Sequence, residues 1–347
     1  MITVKNQTVY KKFLLIRTDR IGDAVTILPA VNVLRKNFPN AHIAIFCRDY
    51  TADIFKNNPQ IDEIIIKTTF WKDLRNIRDK KFDVAIIFFL NTYCAWLTFL
   101  ACIPIRIGPV SKIWAFLLSK RVYQRRSQDL KHEADYNVEL LKFLNINISP
   151  AEGKIYMPPA DNIKAQNYLK EMFNIDSKNK FIIIHPGSGG SALNWPADNF
   201  ALLIKEIMTA YPALKVLLTG GSSEQKTLNY IASKVAPFQP FILKENLALT
   251  DFISIINECV IFISNSTGPL HIAAALGKRT VSFYPNVKGC LPKRWSPYGQ
   301  GHIVLVAGNG KPTLRKECPD DFMSDITPQK AFDAFERQLE NDFELIN

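Results

Sequence analysis

The densest chemistry in the chain lies in Ser264-Asn265-Ser266-Thr267-Gly268-Pro269-Leu270-His271-Ile272-Ala273-Ala274-Ala275, directly after an apolar run at residues 260–264. This pattern reads as strand, turn and helix. Ser266 and Thr267 are hydroxyl N-cap candidates, Gly268 lets the backbone approach a ligand, and Pro269 suits a first helical turn. Free amides and the helix dipole then converge on one point, where an anion such as a diphosphate would be held. An ordinary capped helix packed by Ile272, Ala273 and Leu276 explains the same residues. His271 reads equally as a phosphate contact or as a structural histidine.

A second candidate is Pro186-Gly187-Ser188-Gly189-Gly190-Ser191, which follows the apolar run 181–185 and precedes Trp195-Pro196 at a helix start. Ser188, Gly189 and Gly190 can form an amide nest for the same anion. It is not a Walker loop, because no Lys-Ser or Lys-Thr follows. In Thr219-Gly220-Gly221-Ser222-Ser223-Glu224, Glu224 can accept both hydroxyls of a ribose, or simply favour the first turn of a helix. Nearer the start, Arg17-Thr18-Asp19-Arg20-Ile21-Gly22-Asp23 links a first strand to a first helix. Gly22 permits close approach there, and Asp23 is a candidate general base. The competing reading is an N-cap aspartate, whose pKa a helix terminus would lower.

These turns need strands that end at them, and the rest of the sequence supplies them. Apolar β-branched runs alternate with amphipathic helix-length segments, the βαβ signature of a doubly wound parallel sheet with covered faces. Strands are expected at residues 13–16, 42–46, 63–66, 84–88 and 105–107, with helices at 23–36, 50–56, 70–78, 93–102 and 135–144. After a Pro- and Gly-bearing stretch at 145–161 the rhythm restarts. Strands at 181–185, 215–219, 260–264 and 280–283 alternate with helices at 162–173, 197–211, 223–235, 249–258 and 270–276. The expectation is two α/β Rossmann-like domains, residues 1–157 and 158–326, facing a central crevice, with a terminal helix in 327–347 of unassigned destination. Residues 84–105 lack charge over a length that could cross a bilayer, but Asn91, Thr92 and Tyr93 fall where a strand-to-helix turn belongs, so strand, helix and strand are expected instead.

The 347 residues carry 47% apolar and 22% charged side chains, which excludes disordered, collagen-like and coiled-coil classes. A net charge of +11 favours anionic partners. The six cysteines contain no C-x-x-C pair, and the N-terminal apolar stretch is too short for a signal core, so reduced thiols in a cytoplasm are expected. No D-x-D, H-E-x-x-H, G-x-S-x-G or Walker A sequence occurs, which disfavours metal-anchored nucleotide-sugar chemistry, zinc proteolysis, serine hydrolysis and P-loop phosphoryl transfer.

Five segments in order resemble glycosyltransferase family 9, the ADP-heptose:lipopolysaccharide heptosyltransferases: IRTDRIGDAVTILP (16–29), HEADYNVELL (132–141), IHPGSGGSALNWPADNF (184–200), LTGGSSE (218–224) and ISNSTGPLHIAAALG (263–277). The resemblance implies a GT-B fold, a C-terminal domain for the nucleotide sugar and an N-terminal domain for the acceptor. By position, Asp23 matches the family's catalytic aspartate and Glu224 the ribose-binding acid. Thr267 and Gly268 match the diphosphate turn, and Ser188, Gly189 and Gly190 lie in the other phosphate loop. Two positions depart from the family pattern: Leu193 stands where a lysine is common, and Ser266 where an aspartate is common.

The implied reaction is inverting and metal-independent, with no cofactor beyond an ADP-linked sugar and an anionic glycolipid as acceptor. Arg20, Arg121, Arg125 and Arg126 are acceptor-side candidates. The basic segment 108–131, with Trp114, Phe116 and Leu117 interleaved, reads either as a peripheral contact to the inner face of the cytoplasmic membrane or as a solvated loop. A nucleotide-sugar epimerase and a non-catalytic nucleotide-sugar-binding protein are the competing functions. No nucleic-acid-binding motif is present.

Overall fold

The computed structural model describes residues 10–149, 152–176, 178–190, 192–243 and 247–344. They form two units. One holds the described residues through Arg125 together with Ala134–Gly153, and the other holds Arg126–Glu133 and the described chain from Lys154 onward.

Strands in the first unit are β1 (Lys12–Ile16), β2 (His42–Cys47), β3 (Glu63–Ile66), β4 (Val84–Ile87), β5 (Ile105–Pro109) and β6 (Lys120–Val122). They pair in parallel in the order β3-β2-β1-β4-β5-β6. In the second unit β7 (Phe181–His185), β8 (Lys215–Leu218), β9 (Phe241–Ile242), β10 (Ile261–Asn265), β11 (Arg279–Pro285) and β12 (His302–Ala307) pair in parallel as β12-β11-β10-β7-β8-β9. Both sheets wind outward from their first strand and then jump back beside it. The reversal falls between β1 and β4, and between β7 and β10, where loops diverge and leave room for a ligand.

Alternation explains why these runs are strands. Leu14 and Ile16 pack in one core with Phe46, Ala85 and Ile87, while Phe13 and Leu15, pointing the other way, are fully buried too. A parallel sheet covered on both faces requires this. Residues 84–105 resolve into β4, the helix Thr92–Leu100 and β5, with Asn91 Oδ1 accepting from Cys94 N at 2.9 Å as the N-cap. Among the described residues, no helix is long and apolar enough to cross a membrane.

Several elements differ from the sequence expectation. The helix expected at 23–36 is two helices, Ile21–Val25 and Leu28–Asn37, with Pro29 opening the second, where its missing N–H costs nothing. The expected helix at 50–56 is a 3₁₀ turn, Asp49–Ile54. The basic segment is not one loop: it holds the 3₁₀ turn Ile113–Leu117, β6 and the 3₁₀ turn Arg126–Gln128. Leu117, expected to interleave with exposed cations, is buried in the first core. Edge strands β9 and β12 were not anticipated. The terminal helix Pro328–Glu344 packs on the second core through Ala331, Ala334 and Phe335, and Gln338 Nε2 ties it to Thr280 O and Gly301 O at 2.9 Å each.

Residues Arg126–Glu133 are fastened to the second unit by buried charge. The Glu133 carboxylate, 1% exposed, meets Arg126 Nη1 at 2.5 Å and Arg294 Nε at 3.0 Å. Asp129 receives Gly289 N at 2.8 Å and meets Arg294 at 3.3 Å. Paired and hydrogen-bonded in this way, the carboxylates are tolerated away from water.

Candidate active site

In the second unit, two turns meet where β7 and β10 diverge. The turn after β7 bends through Gly189 and Gly190 at φ +54° and +76°, the left-handed region that glycine enters without strain. Its last expected member, Ser191, lies outside the described residues. Ser188 is buried, with Oγ donating to Ala192 O at 3.2 Å. The two turns are joined by Asn265, the last residue of β10 and fully buried. Its Nδ2 donates to Pro186 O at 2.6 Å, and its Oδ1 accepts from Trp195 N at 2.8 Å. Trp195 then anchors the far end of the loop, stacking on Phe283 at 4.2 Å and donating from Nε1 to Ile326 O at 2.7 Å.

Beyond Asn265, the helix Gly268–Ala275 starts at Thr267, which is extended (φ −148°) and gives no side-chain cap. The expected hydroxyl cap is therefore not formed by Thr267, and the first-turn amides have no cap from its side chain. Ser266 lies beside the Tyr284 hydroxyl, which donates to Trp295 O at 2.5 Å. His271 is buried. Burial, with His132 and His302 nearby, pushes its imidazole down to about 3, so it is a neutral ring that can donate an N–H but not offer a positive charge.

Glu224 closes the third side. Its Oε1 accepts from Gly189 N at 3.2 Å, and its Oε2 from Gly221 N at 2.8 Å. The carboxylate lies flat over Gly187, where a Cβ would fall 1.8 Å from Oε1, so no other residue type fits position 187 as the site stands. Beneath it His185, buried and 2.9 Å from Thr219 Oγ1, is pushed down to about 4 by burial against the opposing pull of Glu224. Leu193 packs toward the core and lines a cavity of about 310 Å³ together with Asn194, Arg315, Cys318 and Met323. The cation in that cavity is Arg315.

In the first unit, the turn after β1 is built from charges. Arg17, 2% exposed, places its guanidinium between two carboxylates: Nε meets Asp19 Oδ1 at 2.6 Å, and Nη2 pairs with Asp23 Oδ1. Asp23 lies in the first turn of the helix Ile21–Val25, with its side chain 18% exposed. The buried Asn137 holds the far side, donating to Thr26 O and Thr26 Oγ1 at 3.1 Å each, while Thr26 Oγ1 donates to Asp23 O at 2.8 Å. Burial raises the Asp19 carboxyl to about 6, opposed by Arg17 and assisted by the charge of Asp23. The geometry thus offers an oriented, solvent-reachable carboxylate at Asp23, supported from behind by a cation.

The four arginines are not gathered together. Arg20, exposed, precedes the Asp23 helix. Arg121 lies on edge strand β6, three strands from β1, or about 14 Å of sheet, and donates to Phe116 O at 3.1 Å. Arg125 follows β6 and is exposed, whereas Arg126 is paired with Glu133 in the second unit. Sequence reasoning assigned no role to Arg17, Asp19, Asn137, His185 or Asn265. Four of them share one signal, polarity at or just past the end of an apolar strand; Asn137, in the polar helix Glu133–Glu139, carries none. Among the described residues, no group of three His, Cys, Asp or Glu is placed to hold a metal ion.

A family model described as glycosyltransferase family 9 (heptosyltransferase) matches residues 70–323. A candidate glycosyltransferase of Haemophilus influenzae is 32% identical over 314 residues, which cover 87% of this chain and 90% of that relative. Among solved structures, a glycosyl transferase family 9 protein from Veillonella parvula is similar with a TM-score of 0.85 at 21% identity, over 96% of this chain and 98% of the other. The Escherichia coli ADP-heptose lps heptosyltransferase II is similar with a TM-score of 0.78 at 20% identity, over 95% and 99%.

Proposed function

Because the chain belongs to glycosyltransferase family 9 and has the two-domain GT-B architecture, we propose that it moves a heptose from ADP-heptose onto a lipopolysaccharide or lipooligosaccharide core, inverting the anomeric configuration without a metal ion. Asp23 takes the proton of the acceptor hydroxyl. That oxygen attacks the anomeric carbon opposite the leaving group, so the new carbon–oxygen bond forms as the bond to the β-phosphate oxygen breaks. The electron pair leaves on the diphosphate. The amides of Gly190 and Gly268, with the hydroxyls of Ser266 and Thr267, stabilise the charge that accumulates there, while Gly189 N and Ser188 Oγ hold the turn in shape through Glu224 and Ala192 O. Glu224 accepts the ribose hydroxyls; with Gly189 and Gly221 bound, its carboxylate still has free lone pairs. His271 contributes a neutral N–H. Arg20 and Arg125 meet anionic groups of the acceptor, which would be presented at the cytoplasmic face of the inner membrane.

The observation that carries this reading is Asn265, which ties the glycine turn after β7 to the start of the helix Gly268–Ala275, so that two sets of amides serve one anion. The epimerase and non-catalytic readings have no comparable support. The test is incubation of the purified chain with ADP-heptose and truncated core acceptors, with and without a chelator. Transfer that survives chelation and gives a product of inverted configuration by NMR is expected. Retained configuration, or activity abolished by the chelator and restored by a divalent ion, would overturn the proposal.

A further inference from the structure

From Val84 to Gln128 the sequence contains Arg106, Lys112, Lys120, Arg121, Arg125 and Arg126 and not one carboxylate. The same stretch folds into β4, the helix Thr92–Leu100, β5, the 3₁₀ turn Ile113–Leu117 and β6, which together make one edge of the first sheet. Ala115, Leu117 and Leu118 of this edge turn inward and join the core. Ile113 and Phe116 turn outward instead, 80% and 56% exposed, and Phe99 is 42% exposed. The outward residues are contiguous. Phe99 meets Trp96 at 6.0 Å between ring centres, Trp96 meets Trp114 at 6.5 Å, and Trp114 meets Phe116 at 6.5 Å. Cations border this ridge: Arg106 lies 5.5 Å from the Phe99 ring, Lys112 precedes Ile113, and Arg121 donates to Phe116 O.

We propose that this face docks on an anionic phospholipid bilayer, with Ile113 and Phe116 entering the headgroup–acyl boundary and Arg106, Lys112 and Arg121 lying among the phosphates. Charge selects this occupant. A second copy would set cation against cation, whereas an anionic leaflet attracts every charge on the face. Depth agrees, because a five-residue turn with two outward apolar side chains reaches only the interface, where half-buried tryptophans such as Trp96 and Trp114 are favoured. The proposal concerns the first unit alone and stands whatever sugar or acceptor the site uses.

The test is co-sedimentation of the full chain with vesicles of phosphatidylglycerol and phosphatidylcholine, against phosphatidylcholine alone. Binding to the anionic vesicles that weakens as salt rises is expected, and Ile113→Ser/Phe116→Ser should weaken it at least ~10-fold at an unchanged melting temperature. Lys112→Glu, which leaves the apolar ridge intact, should weaken it as well. Equal binding to both vesicle types, wild-type affinity in the serine variant, or a solution dimer that the serine variant dissociates would overturn the proposal. Because the readout is binding and not transfer, its failure is distinct from failure of the proposed reaction.

Discussion

The turn after β1 and the turn after β7 occupy the same place in the same topology, each following the first strand of a doubly wound sheet at its reversal point. Their chemistry differs. The first is built from ion pairs, a buried guanidinium flanked by Asp19 and Asp23. The second sets glycine amides, one of them donating to the Glu224 carboxylate, above a histidine that burial keeps uncharged. The winding therefore fixes where a ligand can sit, while a handful of side chains decide whether that place moves a proton or receives an anion.

The comparison breaks most sharply at Asp23. Asp23→Ala should lower transfer by about 10² to 10⁴-fold while leaving ADP affinity, read by calorimetry, nearly unchanged. An equal loss of ADP affinity would show that the two turns do not divide the work. Asn265→Leu probes the other side. It leaves Pro186 O and Trp195 N without their partner, and should cost about 2–4 kcal/mol in denaturant unfolding together with weakened ADP binding. Gly187→Ala should displace Glu224 and reduce ADP affinity roughly tenfold, an effect on the scale of one charge-assisted hydrogen bond. Gly189→Ala makes a control, since no atom lies within 4 Å of its Cβ and only the φ of +54° opposes it, at about 1–2 kcal/mol of stability.

The smallest effects are in pH dependence, and they run in opposite directions. His185, His271 and His302 are pushed down to about 4, 3 and 4, below the unfolded value near ~6.5. Stability held above that unfolded value is lost as pH falls from it toward 4, because only the unfolded chain takes up the protons. Asp19 is raised to about 6, so its contribution is present below its unfolded value near ~3.9 and is lost as pH rises through 6. Relative to wild type, Asp19→Asn should therefore gain melting temperature as pH rises across that window, whereas a neutral replacement of His185 should flatten the acid limb. Parallel profiles for the two variants would contradict the contrast between the charged Asp19 and the uncharged His185.

Central strands were legible because burial on both faces demands uninterrupted apolar runs, and β1, β2, β7 and β10 were located to within a residue or so. Of the edge strands, β3 was located at its full extent, but the other three were not. β6 and β9 span three and two residues, and β12 is half-exposed along most of its length, so neither length nor periodicity marks them. The turns of the candidate site were legible wherever glycine, hydroxyl or acid broke the pattern at a strand end, as at Gly189, Thr267 and Asp23. Asn265 stood in plain view within such a motif, but its importance comes from bonds to residues 79 and 70 positions away, which spacing does not reveal. Ile113 was overlooked for the converse reason: apolar residues in a short 3₁₀ turn carry no period that separates inward from outward.

By itself the sequence determined the local rules, namely which runs must be buried, where glycine frees the backbone and where charge accumulates in one sign. Those follow from hydrophobicity, sterics and composition, which act residue by residue. Only the tertiary structure decided that Arg17 lies between Asp19 and Asp23, that Glu224 rests on Gly187, that Arg126–Glu133 belongs with the second unit and that the terminal helix covers the second core. The last three rest on contacts between residues distant in the chain, and the Arg17 cluster, though local, is buried against the distant Asn137; their energies depend on shared burial and on partners that only the folded chain supplies.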